Sequence, residues 1–398
     1  MKLRHPNAVL ITIVISQFLC TSLWFAGNGV LTSLARDLDL PLSVLGHLTS
    51  AIQLGFISGT LIFAMLRVAD RFSPSNVFLF SALAGALANL AIVFPGNTLV
   101  TLLLLRFITG FFLAGIYPVG MKIAADYFDK GLGKALGYLV GALVVGTALP
   151  HLLRAIGSEV DWKNILIWIS LLAATGGMMI GLFVADGPYR RSGAGIDLRE
   201  SFTAFRIPAF RRAAFGYFGH MWELYALWTF VPVMLLYLNN THPGWGINVS
   251  LLSFFVIGIG GLGCVFNGYL SRTIGAGRAA MIALVTSGLC CLLSPALLHL
   301  DARSIVFAII LIWGTAVVAD SPMFSTLVAQ ESPAVSRGTA LTIVNCIGFA
   351  ITIVSIQLLN WLYSVLDLMY LFLFLVPGPV LGLYAMISGR ADKSSTHV

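Results

Sequence analysis

Charge is what this sequence of 398 residues has least of: Asp, Glu, Lys and Arg together make up 10%, where soluble globular domains carry about 25%. Apolar side chains supply 58%, so a water-soluble globular fold is excluded and lipid is the solvent to reason with. Cysteine is sparse as well. Cys20, Cys264, Cys290, Cys291 and Cys346 all fall inside apolar runs, with no Cys-x-x-Cys and no His at ligand spacing, which excludes a disulfide framework and a zinc site. No Gly-x-x-x-x-Gly-Lys followed by Ser or Thr occurs, nor a Gly-x-Ser-x-Gly elbow, nor a His-Glu-x-x-His pair. Direct use of ATP and membrane-embedded hydrolysis therefore have no support, and neither a cofactor nor an enzyme activity is expected.

Long polar stretches are missing too, apart from residues 185–212, ADGPYRRSGAGIDLRESFTAFRIPAFRR, which carry six arginines close to the chain midpoint. Its glycines and serine give it the composition of a flexible linker. On either side lie apolar runs of the length that a helix needs to cross about 30 Å of hydrocarbon. They predict spans at 8–31, 44–66, 76–94, 98–122, 132–154 and 164–184, then 213–237, 248–271, 279–298, 303–328, 338–362 and 366–388. The expected fold class is an all-α integral membrane protein, with twelve transmembrane helices in two pseudo-symmetric six-helix bundles. The expected domains are 1–185, a linker at 186–212, and 213–398. The first run is too long for a secretory signal and lacks a small-residue cleavage site, so it is expected to stay in the mature chain.

The net charge of +7 is not read as a nucleic-acid signal, because the basic residues flank apolar runs. With both termini and the linker on one side, eighteen of the Lys and Arg residues fall there. Arg36, Arg154, Lys163 and Arg303 fall opposite, and Arg106 lies within a helix. The positive-inside rule makes the richer side cytoplasmic, in a bacterial inner membrane.

The halves repeat at a nearly constant offset. Leu23 and Trp24 match Leu227 and Trp228, Gly55 matches Gly258, Asp70 falls opposite Arg272, Pro118 matches Pro322, and Gly133, Ala135 and Leu136 match Gly338, Ala340 and Leu341. A parallel repeat of six-helix halves places a substrate site near the midplane between them.

On these residues the chain resembles the major facilitator superfamily over essentially its whole length. Asp70 and Arg71 in LRVADRFSPS resemble that family's cytoplasmic loop motif, with Leu66 and Ser73 where it has glycine. GYLSRTIGAGR, with Arg272 at the acidic position, is the second copy. Arg106, Gly110 and Gly115 resemble its fourth-helix arginine motif. Gly137, Gly141, Gly146 and Pro150 resemble its antiporter motif without the Gly-Pro step. The resemblance implies that Asp70, Arg71 and Arg272 belong to a gating loop, and that helices one, four, seven and ten line a cavity.

Residue spacing agrees with that lining. Gln17, Thr21, Trp24 and Asn28 fall on one face of the first helix, Arg106 and Tyr117 on one face of the fourth, His220 and Glu223 three apart on the seventh, and Trp313 and Asp320 seven apart on the tenth. Such stripes face protein, water or solute rather than lipid, and ionisable members are functional candidates by default. The expected substrate contacts are Gln17, Thr21, Trp24, Asn28, Arg106, Tyr117, His220 and Trp313, with Glu223 and Asp320 for proton coupling. Depth arithmetic at about 1.5 Å per residue lets Arg106 approach Glu223 from the other half and sets His220 level with Asp320. Arg106 and His220 suit an anionic group, whereas Glu223, Asp320, Trp24 and Trp313 suit a cation, so the solute's charge stays open. The expected function is secondary active transport of a small organic solute by alternating access. Its expected partners are protons and membrane lipid, with no nucleic acid or metal, and the monomer is the working unit. A multidrug efflux antiporter and a flux-free receptor are the alternatives.

Overall fold

The computed structural model describes residues 3, 5–41, 44–128, 132–157, 160–190, 203–333 and 337–388, with the side chains of residues 132, 133 and 337 outside the description. Most of the arginine-rich linker, at 191–202, and the Arg337 side chain of the charge pattern thus lie beyond what it describes. Among the described residues the structure is nearly all helical, with one isolated pairing of Leu3 and Val184.

Among the described residues twelve helical segments are long and apolar enough to span a bilayer: Pro6–Asp37, Val44–Met65, Pro74–Ala91, Leu99–Tyr127, Lys134–Ile156 and Trp162–Phe183, then Pro208–Thr241, Val249–Ile274, Ala276–His299, Arg303–Glu331, Gly338–Leu362 and Leu368–Ser388. They are referred to below by order. Each coincides with an expected span, and the first, fourth, seventh and tenth run beyond the apolar stretch into polar residues. Backbone hydrogen bonds inside the helix are why that extension continues past the hydropathy signal.

Several spans are interrupted. The first divides into Pro6–Thr21 and Ala26–Asp37, with a tight turn between. The fourth breaks between Leu113 and Tyr117 and the tenth at Asp320. Pro118 and Pro322 follow these last two breaks by one turn or less. A proline has no N–H for the preceding turn, so its carbonyl partner is released there. The proline match seen in the sequence is therefore a match of helix breaks.

The contacts divide the chain into two compact units, Met1–Gly195 with Asn248–Gly258, and Ile196–Ile247 with Ile259–Val398. The division falls within the arginine-rich linker, just before the eighth span, and again midway along that span. In the first unit the second and fourth spans run backbone against backbone. A Cβ on Gly55 would sit 2.0 Å from the Phe107 carbonyl, and one on Gly110 would sit 2.0 Å from the Ile52 carbonyl, so only glycine permits this approach. In the second unit Gly219 of the seventh span abuts the Gly378 carbonyl of the twelfth at 2.3 Å by the same measure. Small residues set helix spacing here because lipid offers no hydrophobic drive between helices.

Candidate functional site

In the second unit, Glu223 sits in the unbroken Pro208–Thr241 helix, and its side chain is buried. The Trp313 indole N–H of the tenth span donates to Oε1 at 2.8 Å. From the ninth span, Ser287 Oγ donates to Oε2 at 2.9 Å and Cys291 Sγ contacts Oε1 at 3.2 Å. Ser287 and Cys291 are four residues apart, hence on one helix face, and Trp313 is steadied by an edge contact with Phe372 at 5.5 Å. The donors are all neutral. Among the described residues no basic side chain forms an ion pair with Glu223.

One turn away, His220 Nδ1 lies 2.7 Å from Asp320 Oδ1. The distance is that of a close imidazole–carboxylate contact. The rings of Tyr217 and Phe324 flank the imidazole. Asp320 is where the tenth span breaks, so its side chain leaves the helix at a point where the backbone ladder is interrupted. The level spacing read from the sequence for His220 and Asp320 is the pairing found. The two carboxylates of this unit thus differ: Asp320 has the His220 imidazole beside it, and Glu223 has indole, hydroxyl and thiol donors.

In the first unit, Arg106 is seated on main-chain carbonyls of the broken first span. Its guanidinium donates to the Leu23 carbonyl at 3.0 Å and to the Trp24 carbonyl, which the turn leaves poorly used by the helix itself. Arg106 and Glu223 each have their described hydrogen-bond partners inside their own unit.

The remaining first-span stripe is buried. Thr21 Oγ1 is bonded to the Gln17 carbonyl at 2.8 Å and sits against Gly146, whose Cβ would meet it at 2.2 Å, so Thr21 is a helix contact with the fifth span. Gln17 faces Gly120 of the fourth span. Asn28 Nδ2 donates to Thr49 Oγ1 at 3.1 Å, and Trp24 packs on Phe56 at 4.8 Å. Tyr117, half-buried, opens the second segment of the fourth span.

The loop residues separate. Asp70 pairs with Lys122 at 2.9 Å, Lys122 also approaches Asp126, and Arg190 donates to the Asp70 and Phe72 carbonyls while pairing with Asp186. Arg71 is exposed, and Arg272 lies over the Tyr269 ring at 5.2 Å. Ser287, Cys291, Lys122, Asp126, Asp186 and Arg190 escaped the sequence reading. The signal available was the i, i+4 spacing within each pair, which gives no hint of the partner on another helix.

The profile of the Major Facilitator Superfamily matches residues 13–356. AraJ of Escherichia coli is 24% identical over 288 residues, covering 70% of this chain and 68% of that protein. A Cupriavidus necator protein named "probable sulfoacetate transporter SauU" is 23% identical over 260 residues, covering 58% of each chain. Among solved structures, the nucleoside transporter NupG aligns with a TM-score of 0.73 at 15% identity, covering 96% of this chain and 99% of its own. A bacterial homolog of the human lysosomal transporter Spinster aligns with a TM-score of 0.69 at 15% identity, covering 98% and 95%. At such identity the two structures speak for the fold alone.

Proposed function

Because the chain belongs to the Major Facilitator Superfamily, and is thus a multi-pass membrane transporter rather than an enzyme, we propose that it moves a small organic solute by proton-coupled alternating access, with Glu223 as the proton carrier. The observation that carries this reading is the environment of Glu223: a buried carboxylate with three neutral donors and no ion-pair partner among the described residues.

Trp313 N–H can only donate, so it marks Oε1 as the oxygen that stays an acceptor. Ser287 is different, because its hydroxyl also lies 3.2 Å from the Leu284 carbonyl. With Glu223 ionised, the hydroxyl donates to Oε2. With a proton on Oε2, the hydroxyl turns to donate to Leu284 and accepts from the carboxylic acid. Both protonation states are hydrogen-bonded without moving a helix, which is what a carrier that loads and unloads in each cycle needs. Asp320, held by His220, serves as a fixed charge or a second carrier beside it. The two six-helix halves, 1–185 and 213–398, are the rocking bodies in this reading, with 186–212 as the tether between them. Both termini and that tether are cytoplasmic, in a bacterial inner membrane, and the monomer is the working unit. Gln17, Thr21, Trp24, Asn28, Arg106, Tyr117, His220 and Trp313 supply or support solute contacts, and Asp70 with its Lys122 partner, Arg71 and Arg272 belong to the cytoplasmic gating loops.

Purified protein in sealed vesicles with an imposed pH gradient tests the proposal. Solute accumulation that collapses with a protonophore supports it; solute binding without any flux would make the protein a receptor on a transporter scaffold.

A further inference from the structure

The first unit holds a second polar cluster, and its chemistry differs from that around Glu223. Arg106 brings a full positive charge to a position only 1% exposed. Its two terminal nitrogens rest on neutral carbonyls, and Nε has no hydrogen-bond partner in the protein. No acidic residue lies in the membrane interior of this unit's spans, since Asp37 and Asp126 stand at span ends. A buried cation without an anion is costly, and carbonyl dipoles offset that cost only in part.

Beside it, the second span contributes Gln53, fully buried, with neither the amide nitrogen nor the amide oxygen bonded within the protein. Its place follows from its neighbours. Thr49 and Phe56, four before and three after it, share its helix face and meet Asn28 and Trp24 of the first span. Ile52, next to Gln53, touches Gly110, one turn beyond Arg106. Gly27 borders the guanidinium, its Cβ position being 3.6 Å from Arg106 Nε. The first, second and fourth spans therefore turn Arg106, Gln53 and Asn28 towards one wedge, where Gly27 lies against the guanidinium. Thr49 gives its own proton to the Leu45 carbonyl at 2.9 Å, so it accepts from Asn28 Nδ2, which leaves Asn28 Oδ1 as an acceptor with no partner.

We infer that this wedge is a subsite for a small organic anion, with Arg106 Nε and the Gln53 amide nitrogen donating to its carboxylate or sulfonate oxygens and Asn28 Oδ1 accepting from a hydroxyl on the same solute. The inference rests on the transport reading above and adds to it the sign of the solute's charge and a residue, Gln53, that the helix-one stripe did not include. Two donors, Arg106 Nε and Gln53 Nε2, and two acceptors, Asn28 Oδ1 and Gln53 Oε1, each buried and unmade, match an anion that carries hydroxyl groups. A cation would meet the guanidinium without any carboxylate to receive it.

Gln53→Leu tests it, because that substitution keeps the side chain's size and removes only an amide that bonds to nothing in the protein. In detergent the ligand-free variant is expected to melt at or above the parent temperature. Acetate, glycolate and methanesulfonate, each set against its neutral amide, are expected to raise the parent's apparent melting temperature by about 2 °C or more, with glycolate above acetate, while the amides have no effect. In Gln53→Leu the anion-specific rise is lost. Equal shifts by amides, an anion shift that survives in Gln53→Leu, or no shift from any anion of the panel would each overturn the subsite. Failure of the transport reading looks different: the Gln53-dependent anion shift is present, and sealed vesicles show no flux.

Discussion

Trp313 donates its indole N–H to Glu223 Oε1 at 2.8 Å, tying the tenth span to the seventh through a carboxylate that has no basic partner among the described residues. A hydrogen bond to a charged acceptor is worth about 1.5–3 kcal/mol. Trp313→Phe keeps an aromatic ring against Phe372 and removes the donor, so it lowers stability by that amount in thermal unfolding. In a Glu223→Gln background the loss shrinks by at least half, because the acceptor there is neutral. An equal penalty in both backgrounds would mean that the indole matters only as volume.

The buried His220 and Asp320 pair is expected to behave as a unit. Removing one member, as in His220→Leu or Asp320→Ala, leaves an unpaired polar group and costs about 3–5 kcal/mol, visible as low yield of folded protein. The double variant His220→Leu with Asp320→Leu is expected to recover most of that yield, as measured by size-exclusion chromatography of the solubilised protein. Transport by it would show that the pair is structural.

Thr21 and Ile15 share one helix and have opposite surroundings: Thr21 is fully buried against Gly146, and Ile15 is 42% exposed. Thr21→Leu overpacks the contact between the first and fifth spans, at about 1–3 kcal/mol. Ile15→Phe, on the lipid side, is expected to stay within about 0.5 kcal/mol of the parent. Comparable melting temperatures for the two would show that the contact yields freely.

Orientation is open to a direct test. Cysteines placed at Ser192 and Ser394 in a cysteine-free background are expected to resist an impermeant thiol reagent added to intact cells and to react once the cells are opened. Efficient labelling of intact cells would invert the assigned topology.

The spans were legible because lipid imposes one rule, about 20 apolar residues per crossing; the paired breaks were not read, although Pro118 and Pro322 stand at matching places. What lay beyond the sequence was the direction of each polar side chain. Arg106 turns to carbonyls freed where the first span breaks at Ser22–Phe25, and nothing in LCTSLWFAGN marks that break. Glu223 turns towards Ser287 and Cys291, ordinary residues of an apolar helix whose role appears only when the ninth span is packed on the seventh. The His220 and Asp320 pair was the easier case, since opposite chemistries at one depth on two helices of one half have few other partners. Gln53 carried no signal, because one glutamine in an apolar run reads equally well as packing.

The central claim, that Glu223 carries the proton, is tested most directly with Glu223→Gln in proteoliposomes. Glutamine keeps the shape and can still accept from Trp313, but it cannot release a proton. Under an imposed pH gradient the variant is expected to lose solute accumulation entirely while retaining solute exchange across the membrane at a rate within about tenfold of the parent, equivalent to a barrier change below about 1.4 kcal/mol. Accumulation by Glu223→Gln equal to that of the parent would contradict the account and move the proton to Asp320 or out of the mechanism.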